Sequence, residues 1–306
     1  MPPGNDALAK HFEQSKARQA KDPKMSEDIT LMRASADFVA ALAGEPTEVI
    51  YADEPDLTFL SPSLWVIPLN ARTSPNVILY FHGGGFVTNG PASHRKMCGH
   101  IAKAAGTQLL SINYRMAPEH KFPAQIEDAV ESYKWLLKKG YKPENIVTAG
   151  DSAGGNLCTA LPLKLRELGE PLPKAIVAIS PWYDMLAQEG GTIDTNIETD
   201  ALIRREALQF LIAVWLEEKD KKNPLAHLLD ADPTGLPPMY INAGSYETLQ
   251  DNATKFAEKA EKAGVQVKLE IGEGQQHVYP FMAGKDKNAD TTIANIGKWV
   301  KSQFSA

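Results

Sequence analysis

Short apolar runs alternate with segments of helical period through most of this 306-residue chain. The helical period is clear in FPAQIEDAVESYKWLLKKG, where apolar residues recur at i, i+3, i+4 and i+7. Parallel strands need long crossover connections, usually helices, so this alternation predicts an α/β fold with a mainly parallel sheet and helices on both faces. The predicted strands are LWVIPL, NVILYFH, TQLLSINY, ENIVTAG, AIVAIS, PPMYINAG and VQVKLEIG.

The sequence GDSAGG, residues 150–155, places one serine at a strand-to-helix junction. The preceding ENIVTA is an apolar run typical of a buried strand, and leucines recur at helical spacing afterwards. Serine and glycine are also ordinary loop residues. However, Gly150 and Gly154 lack the Cβ atoms that would crowd a sharp bend, and Gly-x-Ser-x-Gly in this setting is typical of a nucleophile elbow. Ser152 is therefore the candidate nucleophile.

Three consecutive glycines follow the strand in ILYFHGGGF. Such a run is costly unless the backbone must bend sharply or approach another group closely. A flexible turn is the simpler interpretation. The functional one is an oxyanion hole, in which Gly84 and Gly85 present backbone N–H groups together with Ala153, the residue after the candidate nucleophile. The neighbouring residues that would support these motifs are His82, Gly83 and Asp151.

A nucleophilic serine needs a base, and the base needs a carboxylate that orients it. If the chain order is Ser, acid, His, then of the seven histidines only His277 qualifies, in GEGQQHVYPF after the last predicted strand. A lone histidine is more often structural, but this position favours a catalytic base.

Two carboxylates follow the strand in MYINAG and are candidates for the orienting acid. Glu247 is nearer to the strand end, whereas Asp251 lies one helical turn further on and fits a solvated first-turn carboxylate favoured by the helix dipole. We expect Glu247 to be the acid and keep Asp251 as the alternative. Histidine, cysteine and carboxylate residues show no metal-ligand spacing in the sequence, so we expect neither a metal nor another cofactor.

Two segments interrupt the strand and helix alternation. Residues 1–45 are charged and amphipathic, with a partial apolar face and no strand signal, and residues 185 to about 222 are helical and polar. We expect both segments to cover the site as a cap, and residues 46–306 to form the catalytic domain into which the second segment is inserted. The apolar face of the first segment consists of Ile29, Met32, Phe38, Val39 and Leu42.

Composition restricts the partners and the compartment. A formal net charge of −6, an isoelectric point near 5.7 and scattered basic residues argue against a nucleic-acid partner. Cys98 and Cys158 lie among apolar residues, as reduced core thiols do. The chain shows neither a leader-like apolar segment nor a run of roughly 20 apolar residues, so we expect a cytoplasmic protein without a membrane span. A homodimer is a reasonable expectation for such a protein.

Several motifs together resemble the hormone-sensitive-lipase-like family of the α/β-hydrolase fold, also called bacterial type IV esterases. They occur in family order over about the last three quarters of the chain: HGGGF from His82, YRMAPEHKFPA from Tyr114, GDSAGGN from Gly150, ISPWYDM from Ile179 and QHVYPF from Gln276. The resemblance implies a serine carboxylesterase with Ser152 as nucleophile and His277 as base, acting on small to medium acyl esters. It also implies that Gly84, Gly85 and Ala153 are the oxyanion donors and that the two interrupting segments form the cap.

Two positions depart from the family pattern. The acid loop usually reads Asp-Pro-Leu-x-Asp, and here ETLQD begins with Glu247; either carboxylate can orient an imidazole. Pro162 lies inside the helix after the elbow, where it removes a backbone donor and predicts a kink or interruption.

Two other functions remain open from the sequence. The same triad would serve a lactone or aryl amide hydrolase, because these substrates form the same tetrahedral intermediate. A non-catalytic small-ligand receptor on the same scaffold is a more distant alternative, and the presence of His277 beside a candidate nucleophile and acid argues against it.

Overall fold

The computed structural model describes residues 28–35 and 40–305, together with the isolated positions Lys10, Glu13, Gln14 and Ala17. Phe38 and Val39 of the expected N-terminal apolar face lie outside the described residues. The strands are β1 (Val49–Thr58), β2 (Pro62–Pro68), β3 (Val77–Phe81), β4 (Gln108–Ile112), β5 (Ile146–Asp151), β6 (Ala175–Ile179), β7 (Met239–Gly244) and β8 (Val267–Gly272).

These strands form one sheet in the order β1-β2-β4-β3-β5-β6-β7-β8. β2 pairs antiparallel with β1 and β4, and every other neighbouring pair is parallel, so the predicted mainly parallel sheet is confirmed. β3, β5, β6 and β7 are buried along their whole length, as expected for parallel strands covered on both faces. β1 was not predicted, because VIYADEPDLT carries three carboxylates and a proline, which suit an exposed edge strand.

Helices cover both faces of the sheet. Alternate residues of β3 face opposite sides, since Leu79 belongs to one hydrophobic cluster and Tyr80 to the other. The helices are α1 (Ile29–Ser35), α2 (Pro91–Ala105), α3 (Ala124–Lys138), α4 (Ala153–Glu167), α5 (Thr192–Thr195), α6 (Arg205–Trp215), α7 (Gln250–Lys262) and α8 (Lys287–Phe304). Helices α3, α4 and α7 pack in the first cluster, and α2 and α8 pack in the second.

Helix α4 continues through Pro162, so an interruption is wrong and the expected kink stays a prediction. Pro162 has no N–H to donate to the carbonyl of Cys158, four residues earlier. The hydroxyl of Thr148 on β5 donates to that carbonyl instead, at 3.0 Å. A side chain of the neighbouring strand therefore replaces the hydrogen bond that the proline removes.

The segment from 185 to about 222 contains the helices α5 and α6 and, as expected, no strand among its residues, all of which are described. Cys98 and Cys158 are buried free thiols, in agreement with the prediction. Of the helices in the described ranges, none is long and apolar enough to cross a membrane.

Candidate active site

Four neighbouring parallel strands bring the polar residues of the site to one edge of the sheet. Ser152 follows β5, Ser180 follows β6, Glu247 lies three residues beyond β7, and His277 lies on the loop after β8. These strands are adjacent in the sheet. The carboxyl ends of parallel strands form the crevice in which ligands of open α/β sheets bind.

Ser152 occupies a sharp turn between β5 and α4. Its φ of 52° and ψ of −117° are rare for a residue with a side chain and are found where the surrounding structure enforces them. Its N–H donates to the carbonyl of Ile179 at 2.9 Å. A Cβ on Gly154 would lie 2.0 Å from the carbonyl oxygen of Phe81, and one on Gly150 would lie 2.2 Å from that of Gly154. Glycine is therefore required at both positions for the turn to pack against β3.

The structure brings Glu247, and not Asp251, to His277. Oε2 of Glu247 lies 2.9 Å from Nδ1 of His277, and both side chains are buried. Asp251 lies in the first turn of α7, as expected, where its carboxylate pairs with Lys255 at 2.6 Å.

Ser180 was not predicted as part of the site. Its hydroxyl donates to Oε1 of Glu247 at 2.6 Å and accepts from the N–H of Val278 at 3.0 Å. The N–H of Gly244 also donates to Oε1 of Glu247. The sequence signal was weak: ISPWYDM resembles a family motif, but serine after a buried strand is common.

Burial and hydrogen bonding act in opposite directions on the acid and the histidine. Burial raises the pKa of Glu247 more than its contacts with His277, Ser180 and Gly244 lower it. Burial lowers the pKa of His277, but the hydrogen bond and charge of Glu247, with the charges of Asp200 and Asp151, together outweigh this effect and raise the pKa above its ordinary value of 6.5. The carboxylate of Glu247 therefore stabilises the imidazolium form of His277.

The glycine loop after β3 presents unpaired backbone donors. Gly84 and Gly85 have φ of 114° and 64°, which favour glycine. The carbonyl of Gly84 accepts from the N–H groups of Val87 and Thr88 and closes a tight turn. Within the described residues, the N–H groups of Gly84 and Gly85 donate to no other group. Ala153 is the first residue of α4, where an N–H has no partner within the helix.

Asp151 connects the elbow to the glycine loop. It is buried, and its Oδ1 accepts from the N–H of Gly83 at 3.0 Å and from the hydroxyl of Tyr80 at 2.6 Å. Oδ2 of Asp151 lies 3.3 Å from Nε2 of His94. Tyr80 and His94 were not predicted, because no local pattern relates them to the two glycine motifs.

His82 supports the same loop as a neutral residue. Its ring stacks on Tyr114 at 4.2 Å, and the Tyr114 hydroxyl donates to the carbonyl of His82 at 2.6 Å. Burial, with His94 nearby, lowers the pKa of His82 to about 3. The YRMAPEH motif thus contributes Tyr114 as a support beneath the glycine loop.

Residues of both expected cap segments contact the glycine loop. A Cβ on Gly85 would lie 2.7 Å from Cδ1 of Leu211 on α6, and the ring of Phe86 stacks on that of Trp215 at 3.7 Å. Arg33 on α1 donates to two backbone carbonyls nearby, at 2.9 Å each, those of Val87 and Ala117. Both segments therefore contact the glycine loop, and their role as a cap stays a prediction.

Comparison with known proteins identifies the family. A family model for the alpha/beta hydrolase fold matches residues 78–281, which include the glycine loop, the elbow, Glu247 and His277. One similar crystal structure is that of an esterase from the bacterial hormone-sensitive lipase family. Its sequence is 35% identical to that of this chain, and the two structures superpose with a TM-score of 0.89 over 97% of this chain and 98% of the other. This chain belongs to the hormone-sensitive-lipase-like esterase family.

Relatives of this esterase carry related names. An acetyl-hydrolase from Streptomyces hygroscopicus is 41% identical over 215 residues, covering 70% of this chain and 71% of its own length. Esterase LipU from Mycobacterium tuberculosis is 35% identical over 243 residues, which cover 76% of this chain and 80% of LipU. The predicted α/β-hydrolase fold, family and class of carboxylic ester hydrolase are confirmed. In the described ranges, no group of three or more His, Cys, Asp or Glu residues is arranged to hold a metal ion.

Proposed function

We propose that this esterase cleaves carboxylic esters through an acyl-enzyme on Ser152, with His277 as the general base and Glu247 as the orienting acid. One observation carries the proposal: the buried carboxylate of Glu247 lies 2.9 Å from Nδ1 of His277. Since Nδ1 donates to this carboxylate, Nε2 is left without its proton and can accept one from a nucleophile.

The reaction proceeds by acyl transfer. Oγ of Ser152 attacks the ester carbonyl carbon while its proton passes to Nε2 of His277, and the N–H groups of Gly84, Gly85 and Ala153 stabilise the oxyanion. The carbon–oxygen bond to the alcohol then breaks, and the departing oxygen takes the proton from His277. Water attacks the acyl-enzyme by the same route, which releases the acid and restores Ser152.

The supporting residues keep this arrangement fixed. The Ser180 hydroxyl and the Gly244 N–H both donate hydrogen bonds to Oε1 of Glu247, so that Oε2 remains directed at the imidazole. Asp151 holds the glycine loop to the elbow through Gly83. Such preorganised donors lower the barrier because they need not reorient as charge develops.

Short and medium acyl chains are the proposed substrates. Leu211 lies directly on Gly85, and Trp215 stacks on the neighbouring Phe86, so α6 restricts the space beside the oxyanion donors. A relative named acetyl-hydrolase agrees with a small acyl group. The cap formed by residues 1–45 and about 185–222, over a catalytic domain of residues 46–306, is part of this proposal.

Initial rates on p-nitrophenyl acetate, butyrate, octanoate and laurate test the proposal. We expect turnover to decline as the acyl chain lengthens, and Ser152→Ala to lose on the order of 10⁶ in kcat. Ser132→Ala is the matched control, because it makes the same substitution at a buried hydroxyl that donates to the carbonyl of Asp128 within α3. Fastest turnover of laurate would refute the acyl preference. Cleavage of small lactones but not of these esters would retain the triad and change the substrate.

A further inference from the structure

Another buried carboxylate, Asp200, lies in the inserted segment and contacts the acid loop. Asp200 is 1% exposed, and its Oδ2 accepts from both the N–H and the hydroxyl of Thr248, at 2.7 and 2.9 Å. Its Oδ1 accepts from the N–H groups of Leu202 and Ile203, at 2.8 Å each. Thr248 directly follows Glu247, so one oxygen of Asp200 is committed to the neighbour of the proposed acid.

The residues on either side of Asp200 hold the loop of the proposed base. The N–H of Ala201 donates to Oε1 of Gln276 at 2.9 Å, and Nε2 of Gln276 donates to the carbonyl of Thr199 at 2.8 Å. Gln276 directly precedes His277. Residues 199–201 thus bind the neighbour of the acid through a side chain and the neighbour of the base through the backbone. We call residues 199–201 the clasp.

The charge of Asp200 is not neutralised by an ion pair in the described part of the chain. Its four hydrogen-bond donors are uncharged, and the guanidinium of Arg204 donates to its main-chain carbonyl and not to the carboxylate. Three carboxylates act on the charge of His277 and raise its pKa: Glu247 most, then Asp200 and Asp151. They come from three different segments, the loop after β7, the insertion and the end of β5.

We propose that Asp200 is a positioning residue of the acid–base pair, which fixes the Glu247 and His277 loops against each other and adds negative charge that stabilises the imidazolium. This inference rests on the proposed function. It assigns to the insertion a role besides covering the site: the insertion holds the two residues that move the proton. A misplacement of about 1 Å at such a pair costs on the order of 10²-fold in rate.

Asp200→Asn tests the proposal, because the amide removes the charge and its single oxygen cannot accept both from Thr248 and from the N–H groups of Leu202 and Ile203. We expect kcat on p-nitrophenyl butyrate to fall by on the order of 10–100-fold with KM unchanged, and the acid limb of the kcat/KM profile to move to lower pH. Asp194→Asn is the matched control. It makes the same change in the same insertion, but the exposed carboxylate of Asp194 pairs with Arg205 outside the clasp, so neither kcat nor the acid limb should change.

Two further variants distinguish the effect of the clasp's hydrogen bonds from the effect of the Asp200 charge. They can be measured even if Asp200→Asn does not fold. Thr248→Val and Gln276→Met remove hydrogen bonds to the clasp and leave every charge in place. We expect both to lower kcat without moving the acid limb; wild-type kcat in both would overturn the proposal. The proposal would also be overturned if Asp200→Asn folds and the acid limb of its kcat/KM profile stays at the wild-type pH. In that case the proposed function would still stand, provided that Ser152→Ala is inactive. Turnover by Ser152→Ala would instead refute the proposed function.

Discussion

The hydroxyl of Ser180 donates a hydrogen bond of 2.6 Å to Oε1 of Glu247 and joins the end of β6 to the proposed acid. The same hydroxyl accepts from the N–H of Val278, next to His277, at 3.0 Å. Ser180 therefore connects the acid to the base loop on the sheet side, as the clasp, residues 199–201, does on the insertion side.

Ser180→Ala leaves a buried N–H and a buried carboxylate oxygen with one partner fewer. We expect the free energy of unfolding to fall by about 1–3 kcal/mol and kcat to fall by on the order of 10–100-fold, since the acid loses its fixed position. Urea unfolding and steady-state kinetics measure the two effects. Ser132→Ala, the α3 control, should lower stability alone; an equal kcat in both variants would contradict this role for Ser180.

The two candidate acids give a direct contrast. Glu247→Gln should lower kcat by on the order of 10⁴, because the amide no longer holds the required tautomer or stabilises the imidazolium. Asp251→Asn should remain near the wild-type rate, because Asp251 pairs with Lys255. Steady-state rates on one ester measure both. The opposite result, with Asp251→Asn inactive and Glu247→Gln active, would show that the acid is assigned wrongly.

The pH dependence follows from the raised pKa of His277. The base must be neutral to accept the serine proton, so activity is lost as pH falls through the pKa of His277. Since Glu247, Asp200 and Asp151 together raise this pKa above 6.5, we expect the acid limb of kcat/KM to lie above pH 6.5. Glu247→Gln should move the limb to lower pH in its residual activity. A wild-type limb below pH 6.5 would contradict the account.

The contact between Thr148 and the Cys158 carbonyl predicts a coupling with Pro162. Thr148→Val leaves that buried carbonyl without its donor and should cost about 1–3 kcal/mol of unfolding free energy. Pro162→Ala restores an amide that can donate to the same carbonyl, so Thr148→Val should cost less in that background. A double-mutant cycle by urea unfolding measures the difference. Equal costs in both backgrounds would show that the hydroxyl does not replace the missing amide.

The sequence was most informative about buried strands and about residues that follow them. β3, β5, β6 and β7 are buried throughout and mostly apolar because both faces are covered, which makes each a recognisable run. The order of the motifs along the chain then indicated which strand is followed by the candidate nucleophile, which by the acid and which by the base. β1 was not predicted, because an edge strand with solvent-facing carboxylates does not form an apolar run.

The supporting residues could not be found in this way. Ser180, His94 and Asp200 act on partners that lie far away in the chain, so their roles arise only when the fold brings the segments together. The continuous helix at Pro162 could not be predicted for the same reason. The hydroxyl that replaces the missing amide donor belongs to Thr148 on β5. Local patterns predict donors and acceptors, but they do not predict which distant group each one meets.

The proposed transfer of the ester's acyl group to Ser152 can be tested with an alkyl p-nitrophenyl phosphonate, which leaves a stable adduct on an activated serine. Peptide mass spectrometry then locates the added mass. We predict one adduct on Ser152, formed at a rate that parallels the loss of esterase activity, and none in Ser152→Ala. An adduct on another residue, or full labelling without loss of activity, would contradict the account.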